Sequence, residues 1–311
     1  MRISRRHLLS RSLAASTVLG LGNTRLLAAS SELQWQDLEP GLALITGAGG
    51  NVLAFSGTEG VALVDGGNAA SAQALLKLVE DRAGERPALL FNTHCHRDQI
   101  GCNALLGEAG ATIIAHENTR LWLGTEIISQ WEDTVYPPLA DSALPTKTFW
   151  YDSEQLDFNG ESVEYGYLFQ GHTDGDIYVR FPQRNLIMAG GVVAVDAYPL
   201  LDYSTNGWIG GMIDSLRLLI ELCDDQTRIV ASDGQIVNKA HLQAQLEMGS
   251  SVAGVLGEHL YKGGSFEELL ALRPTAEFDE QWGDPTLFLH QLHTGTLPHM
   301  TEIRRYGPPR R

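Results

Sequence analysis

The chain has 311 residues, 43% of them apolar and 19% charged, with 33 glycines and 12 prolines. That length and mix suit one large domain or two small ones around a full hydrophobic core, which excludes disorder, collagen and coiled coil. Thirty-eight acids against 22 bases leave a formal charge of −16. The long-range field of such a chain repels phosphate, so nucleic acid and anionic membrane surfaces are excluded as partners. Three cysteines, an odd number, exclude a disulfide scaffold.

Residues 1–29 form a separate unit. They carry five arginines and no acid, and Ser4-Arg5-Arg6-His7-Leu8-Leu9 is followed by a short apolar, small-residue run that ends at Leu26-Leu27-Ala28-Ala29. A basic start, a short apolar stretch and small residues before a cleavage point are the layout of an export signal. The apolar stretch is too short to span a bilayer. The arginine pair resembles a twin-arginine signal, read by a bacterial machinery that moves proteins already folded. The expectation is a mature protein in the periplasm or secreted, with the twin-arginine export machinery as a transient partner and no stable membrane insertion after processing.

Beyond the signal, residues 42–46, 51–56 and 60–64 read as a strand meander between glycine-rich turns. Asp65-Gly66-Gly67-Asn68 ends a strand and opens a helix over 69–82, where Ala72, Leu75, Leu76 and Val79 fall at i, i+3, i+4 and i+7. A strand at 87–91, a short helix at 101–109 and a strand at 111–115 follow. Residues 118–145 form a long polar excursion with Trp122, Trp131 and Tyr136. Strands resume at 147–151, 163–169, 177–181 and 185–188, then a helix at 210–222, a strand at 228–231 and a long helix at 239–260. A meander followed by strand–helix alternation, repeated once, predicts a layered α/β protein with helices outside two sheets. The predicted organisation is a folded domain over 30–260 and a C-terminal helical or irregular extension over 261–311.

The chemistry-bearing segment is Asn92-Thr93-His94-Cys95-His96-Arg97-Asp98-Gln99, directly after the apolar strand 87–91. His94 and His96 are two residues apart, so in extended backbone they project to the same side, and Asp98 continues the spacing. Two imidazoles at the end of a strand can share one cation at about 2.0–2.1 Å per Zn–N bond. A third ligand must come from elsewhere, and His172, in Gly171-His172-Thr173-Asp174-Gly175-Asp176 after another strand, is the natural candidate.

These motifs resemble the metallo-β-lactamase-fold hydrolase superfamily, whose signature is His-x-His-x-Asp-His. The resemblance covers residues 33–250 and includes the strand-ending Asp65, the His172 to Asp176 run, and Ile229 to Gly234 where the family carries a Gly-His-Gly turn. It implies a four-layer αβ/βα sandwich with the site at the edge between two sheets, and metal-activated water attacking a carbonyl or ester. It also implies that His94, His96 and His172 form a first, all-imidazole metal site. Ala115 to Arg120 and the His172 run are further similar to exported, cyclase-like or quinoprotein-associated members.

The sequence departs from the family at three places, all concerning a second metal. Gln99 stands where a histidine is expected, Asp233 where the final histidine is expected, and Gly191 where many members have an aspartate bridging two metals. The remaining set, Asp98, Gln99 and Asp233, is all oxygen and suits a harder cation better than zinc. The expectation is one Zn2+ on the three histidines, a second position empty or held by a harder ion, and Asp98 as the catalytic group that orients the water and takes its proton. The substrate is then a small molecule with a lactam, lactone, ester or thioester bond. The competing expectation is a retired enzyme that kept the fold for a binding or accessory role. Among weaker candidates, Cys95 points away from its flanking histidines in extended backbone, Asp65 braces the metal-binding loop, and His116 is structural. Asp174 and Asp176 are either partners of a metal-bound imidazole or turn formers. Trp122, Trp131, Tyr136 and Tyr198 either line a cleft or anchor loops, and His290, His293 and His299 receive no role.

Overall fold

The computed structural model describes residues 32–306. The predicted export signal, residues 1–29, lies outside the described residues. A seven-stranded sheet is built from β1 (Gln34–Glu39), β2 (Leu42–Thr46), β3 (Val52–Gly57), β4 (Gly60–Val64), β5 (Leu89–Phe91), β6 (Thr112–His116) and, beyond a separate hairpin of β7 (Ile127–Ser129) and β8 (Thr134–Tyr136), β9 (Lys147–Phe149). The order across this sheet is the order in the chain, antiparallel through β4 and parallel from β4 to β9. The second sheet runs β10 (Ser153–Phe158), β11 (Glu161–Tyr167), β12 (Ile177–Phe181), β13 (Leu186–Gly190) and β14 (Arg228–Ala231), with only the last pair parallel.

The inner faces of the two sheets meet in one core: Leu44, Phe55, Val64 and Phe91 from the first pack with Tyr165, Val179, Phe181 and Met188 from the second. The outer face of the first sheet is covered by α1 (Ala72–Ala83) and α2 (Asn103–Glu108). The apolar stripe of α1, Ala72, Leu75, Leu76 and Val79, is buried as the spacing predicts. Each of its larger side chains contributes about 1.5–3 kcal/mol of burial. After α3 (Glu117–Leu123), the helices α4 (Ile209–Leu222) and α5 (Lys239–Tyr261) cover the outer face of the second sheet. The result is the four-layer αβ/βα sandwich. The C-terminal segment adds α6 (Phe266–Leu272), α7 (Asp279–Trp282) and α8 (Thr286–Tyr306). Leu269, Trp282, Phe288, Leu289 and Leu292 are buried in the same cluster as α4 and α5, so these helices share the core of the domain.

Some elements differ from the pattern reading. Strands β1 and β10, unread in the sequence, have mostly half-buried or exposed side chains. Both are edge strands, whose outer positions need not alternate. The polar excursion contains α3 and the β7–β8 hairpin; α3 is two turns long and buries only Thr119 and Leu123, too little for a period to show. Among the described residues no helix is long and apolar enough to cross a membrane.

Charge ties the two sheets together beside β1. Glu39 on β1 accepts from Arg184 at 3.0 Å and from Arg228 of β14, and Arg184 also donates to Glu161 at 2.6 Å. Burial pushes the Glu39 carboxyl up, but its bonds and charges with Arg184 and Arg228 outweigh that and hold it below its ordinary range. A depressed carboxyl stabilises above its unfolded pKa and loses that stabilisation as pH falls through the folded value. Glu39→Gln is therefore expected to cost about 1 kcal/mol at pH 7. The gap to wild type in thermal melts should narrow below about pH 4.5, the ordinary glutamate value, and with added salt.

Candidate metal centre

The loops at one end of both sheets converge. Asp65 follows β4, residues 92–99 follow β5, His172 sits between β11 and β12, Gly191 follows β13 and Ser232 follows β14. Backbone bonds staple these loops across the sheets: Ile177 N–H donates to Thr93 O at 2.8 Å, Asn51 N–H to Ser232 O at 2.8 Å, and Asp202 N–H to His172 O at 3.0 Å.

His94, His96 and His172 come together there, with one ring nitrogen from each within 4.8 Å of the others. Their ring centroids are 4.5–5.0 Å apart and their planes cross at 75–85°. Rings that cross edge to face do not stack, and with one nitrogen from each this close they can share a single cation. The neighbouring groups also set the tautomers. Thr93 Oγ1 donates to Asp65 Oδ2 at 2.7 Å and lies 2.9 Å from His94 Nδ1. With its one proton on that bond, the hydroxyl oxygen accepts from His94 Nδ1–H, which leaves Nε2 as the bare nitrogen. His96 Nε2–H donates to Asp202 Oδ2 at 2.9 Å, which leaves Nδ1. His172 Nδ1 is buried, makes no hydrogen bond and lies 3.7 Å from Asp176 Oδ1. Three imidazoles so close cannot all be protonated: burial, then His172 and His96, push His94 well below the ordinary histidine range. An all-imidazole set in which outer partners fix two of the three tautomers, those of His94 and His96, fits a borderline cation such as zinc.

The supports are mostly carboxylates. Asp65, with φ +63°, accepts from Thr93 N–H at 2.8 Å as well as from its hydroxyl and so braces the histidine loop; burial pushes its carboxyl up to about 8, against the two Thr93 bonds. Asp176 accepts from the backbone N–H groups of His172 and Thr173 and from the Thr173 hydroxyl, fixing the His172 turn. Asp174 braces α3 and the 203–206 turn through Trp122 and Asn206.

Asp202 was not singled out from sequence. It is 2% exposed, 106 residues from His96 in the chain, and its Oδ1 accepts from Ser204 N–H at 3.0 Å. Burial alone would raise its carboxyl; the hydrogen bond and charge of His96 bring it down to about 2. Its only local signal is an Asp-x-Ser capping pattern, common at any turn. Asp202→Asn keeps an acceptor for Ser204 while weakening the His96 contact, so it is expected to lower metal affinity about 10–100-fold, measured by chelator competition, with little change in melting temperature.

The second-metal residues are placed differently. Asp98 is half-buried and lines a cavity of about 310 Å³ with His96, Trp131 and Tyr136; its charge is felt at Asp65, His96 and Tyr136. Gln99 is fully buried. Its Nε2 lies 3.4 Å from Ser232 O, and its Oε1 has no partner. The amide occupies room left by Gly50, where a Cβ would meet Gln99 Oε1 at 2.7 Å. Asp233 is exposed, on a loop held by Asn51 Nδ2 through Ala231 O and Gly234 O. Among the described residues, Asp98 and Asp233 stand outside the His94, His96, His172 group.

The weaker candidates divide. Cys95 is buried with Ile100, Leu123 and Leu144, and all three cysteines are free and buried. His116 caps α3, stacks on Tyr167 at 3.9 Å and reaches Trp150 O at 2.9 Å. Trp131 and Tyr136 line the cavity, whereas Tyr198 hydrogen-bonds Asp279.

Comparison with known proteins agrees with this geometry. A metallo-beta-lactamase type 2 of Bacillus sp. (strain 170) is 27% identical over 199 residues, 64% of this chain and 72% of that protein. The metallo-beta-lactamase FIM-1 from Pseudomonas aeruginosa, solved in its mono-zinc form, superposes with a TM-score of 0.56 at 13% identity, covering 70% of this chain and 95% of that one. The stereoselective inverting sec-alkylsulfatase Pisa1 from Pseudomonas sp. gives a TM-score of 0.66 at 14% identity, covering 90% of this chain and 52% of that one. Residues 45–234, which contain all three histidines and the loops that hold them, match the family profile, and the chain belongs to the metallo-beta-lactamase superfamily.

Proposed function

We propose that this chain is a zinc-dependent hydrolase with a single metal, exported folded by the twin-arginine route, acting on a lactam, lactone, ester or thioester. The observation that carries the reading is the convergence of His94, His96 and His172 with their outer nitrogens committed to partners or buried. A zinc ion bound there supplies a Lewis acid and a coordinated water with a pKa near 7. The chain's own residues do the rest. Asp65 through Thr93, and Asp202 directly, hold the imidazoles in the tautomers that leave lone pairs inward. Asp98, on the wall of the same cavity as His96, orients the attacking water and accepts its proton.

Two observations support one metal over two. The Gln99 amide is turned into a buried niche against Ser232, and a side chain at Gly191 would fall on the His172 ring, with Cε1 at 2.5 Å and Cγ at 2.8 Å from its Cβ. Sulfate esters join the substrate classes to be tried, because the resemblance to a sec-alkylsulfatase extends over 90% of the chain. The test is metal content by plasma mass spectrometry on natively purified protein, followed by a hydrolysis screen over these bonds. One zinc per chain with turnover is expected. Two metals per chain would overturn the single-metal reading, and no metal after reconstitution would leave the retired, accessory role.

A further inference from the structure

Asn68 lines the same cavity of about 310 Å³ as His96 and Asp98. Its backbone is pinned on both sides: its N–H donates to Ala48 O at 2.7 Å, and Gly101 N–H donates to the preceding Gly67 O at 2.6 Å. Gly66 N–H donates in turn to Gln99 O at 2.6 Å, so residues 66–68 run beside the stretch that follows Asp98. The side chain is fixed as well. Ser71 N–H, at the cap of α1, donates to Asn68 Oδ1 at 2.9 Å. An N–H donor needs an oxygen, so this bond settles which end of the amide is which and turns the NH2 group away from the helix. Nδ2 then lies against Gly49, at φ +102°, where a Cβ would collide with it. Among the described residues nothing accepts from Nδ2.

We propose that Asn68 Nδ2–H is the donor that holds the oxygen of the scissile carbonyl as negative charge builds on it. The inference rests on the hydrolase reading and deepens it. The oxygen of water bonds to the acyl carbon while Asp98 takes its proton, and the carbonyl π electrons move onto the carbonyl oxygen, which accepts from Asn68. On collapse the C=O bond re-forms, the bond to the leaving oxygen, nitrogen or sulfur breaks, and the leaving group takes the proton back from Asp98. In the single-metal reading no second cation is there to take the charge. An amide already fixed by the cap of α1 needs no reorganisation when that charge appears.

The test separates the donor from the cap. Asn68→Asp keeps the acceptor for Ser71 N–H and replaces the donor with an anion. Asn68→Ser keeps a capping oxygen, stays neutral and is too short to replace the amide. On the zinc-loaded full chain with 4-nitrophenyl acetate, both should lower kcat about 100-fold. KM should hold within about twofold, because the bond forms in the transition state. Calorimetric affinity for phenylphosphonate, whose tetrahedral oxygens resemble the adduct, should fall about tenfold in both. Zinc content and melting temperature should match the wild type. If both measures are unchanged in folded Asn68→Ser, or fall only in Asn68→Asp, the amide is not the donor. A loss that follows melting temperature or zinc content would reduce Asn68 to a helix cap. If the wild type hydrolyses nothing, the hydrolase reading fails, and the phosphonate ranking still decides whether Asn68 serves an anionic oxygen in this cavity.

Discussion

His172→Ala is expected to drop zinc from one per chain to less than about a tenth after dialysis, and to abolish measurable hydrolysis. A Lewis acid supplies several kcal/mol of transition-state stabilisation, and about 4 kcal/mol corresponds to roughly a thousandfold in rate. Two imidazoles remain in the variant, but two neutral ligands would hold zinc far more weakly than three. The fold should survive. Asp176 grips the turn through the backbone N–H groups of His172 and Thr173, which the substitution leaves in place, and Asp202 N–H still donates to residue 172's carbonyl. Circular dichroism and a melt on the same sample separate the two effects. Retention of stoichiometric zinc by a folded His172→Ala would remove this residue from the ligand set and with it the site as drawn.

The sequence carried the parts of this centre that are local. His94 and His96 were legible as a pair from their two-residue spacing just after a strand, although the structure brings them together on a bend over 93–95 rather than on extended backbone, and His172 follows a strand in a run whose Asp176 closes its own turn. Asp65 was legible as a brace because it ends a strand just before a glycine turn, and the structure has it on Thr93. Asp202 was not, since its partner is 106 residues away and a capping aspartate looks the same at any turn. The two-sheet core was legible from its apolar runs, whereas β1 and β10 were not, being edge strands with few buried positions. The surroundings of α8 were hidden for a third reason. His290 and His299 lie on α8, and the packing of Leu289 and Leu292 with the second sheet's helices turns their face toward the β7–β8 hairpin and the 201–206 turn. Periodicity gives a helix its apolar face; which cavity the other face borders is a property of the assembled layers.

Gly191 offers the sharpest test of why this chain should hold one metal. Many relatives are expected to carry a bridging aspartate at this place, so Gly191→Asp looks like a repair. The geometry says otherwise. A Cβ on residue 191 would sit less than 3 Å from Cε1 and Cγ of His172, and because Asp176 and Asp202 fix the backbone of that loop, the ring itself has to turn. Gly191→Ala alone is therefore expected to cost about 2 kcal/mol by overpacking, a fall in melting temperature of about 5 °C. It should also rotate the His172 ring out of the cluster, weakening zinc binding at least about tenfold. Gly191→Asp should do the same and gain no second metal, because Gln99 stays in its niche against Ser232 and Gly50. Chelator competition and metal counting on both variants decide it. Unchanged zinc affinity in Gly191→Ala, or a second metal in Gly191→Asp, would show that the His172 ring has freedom this packing denies it.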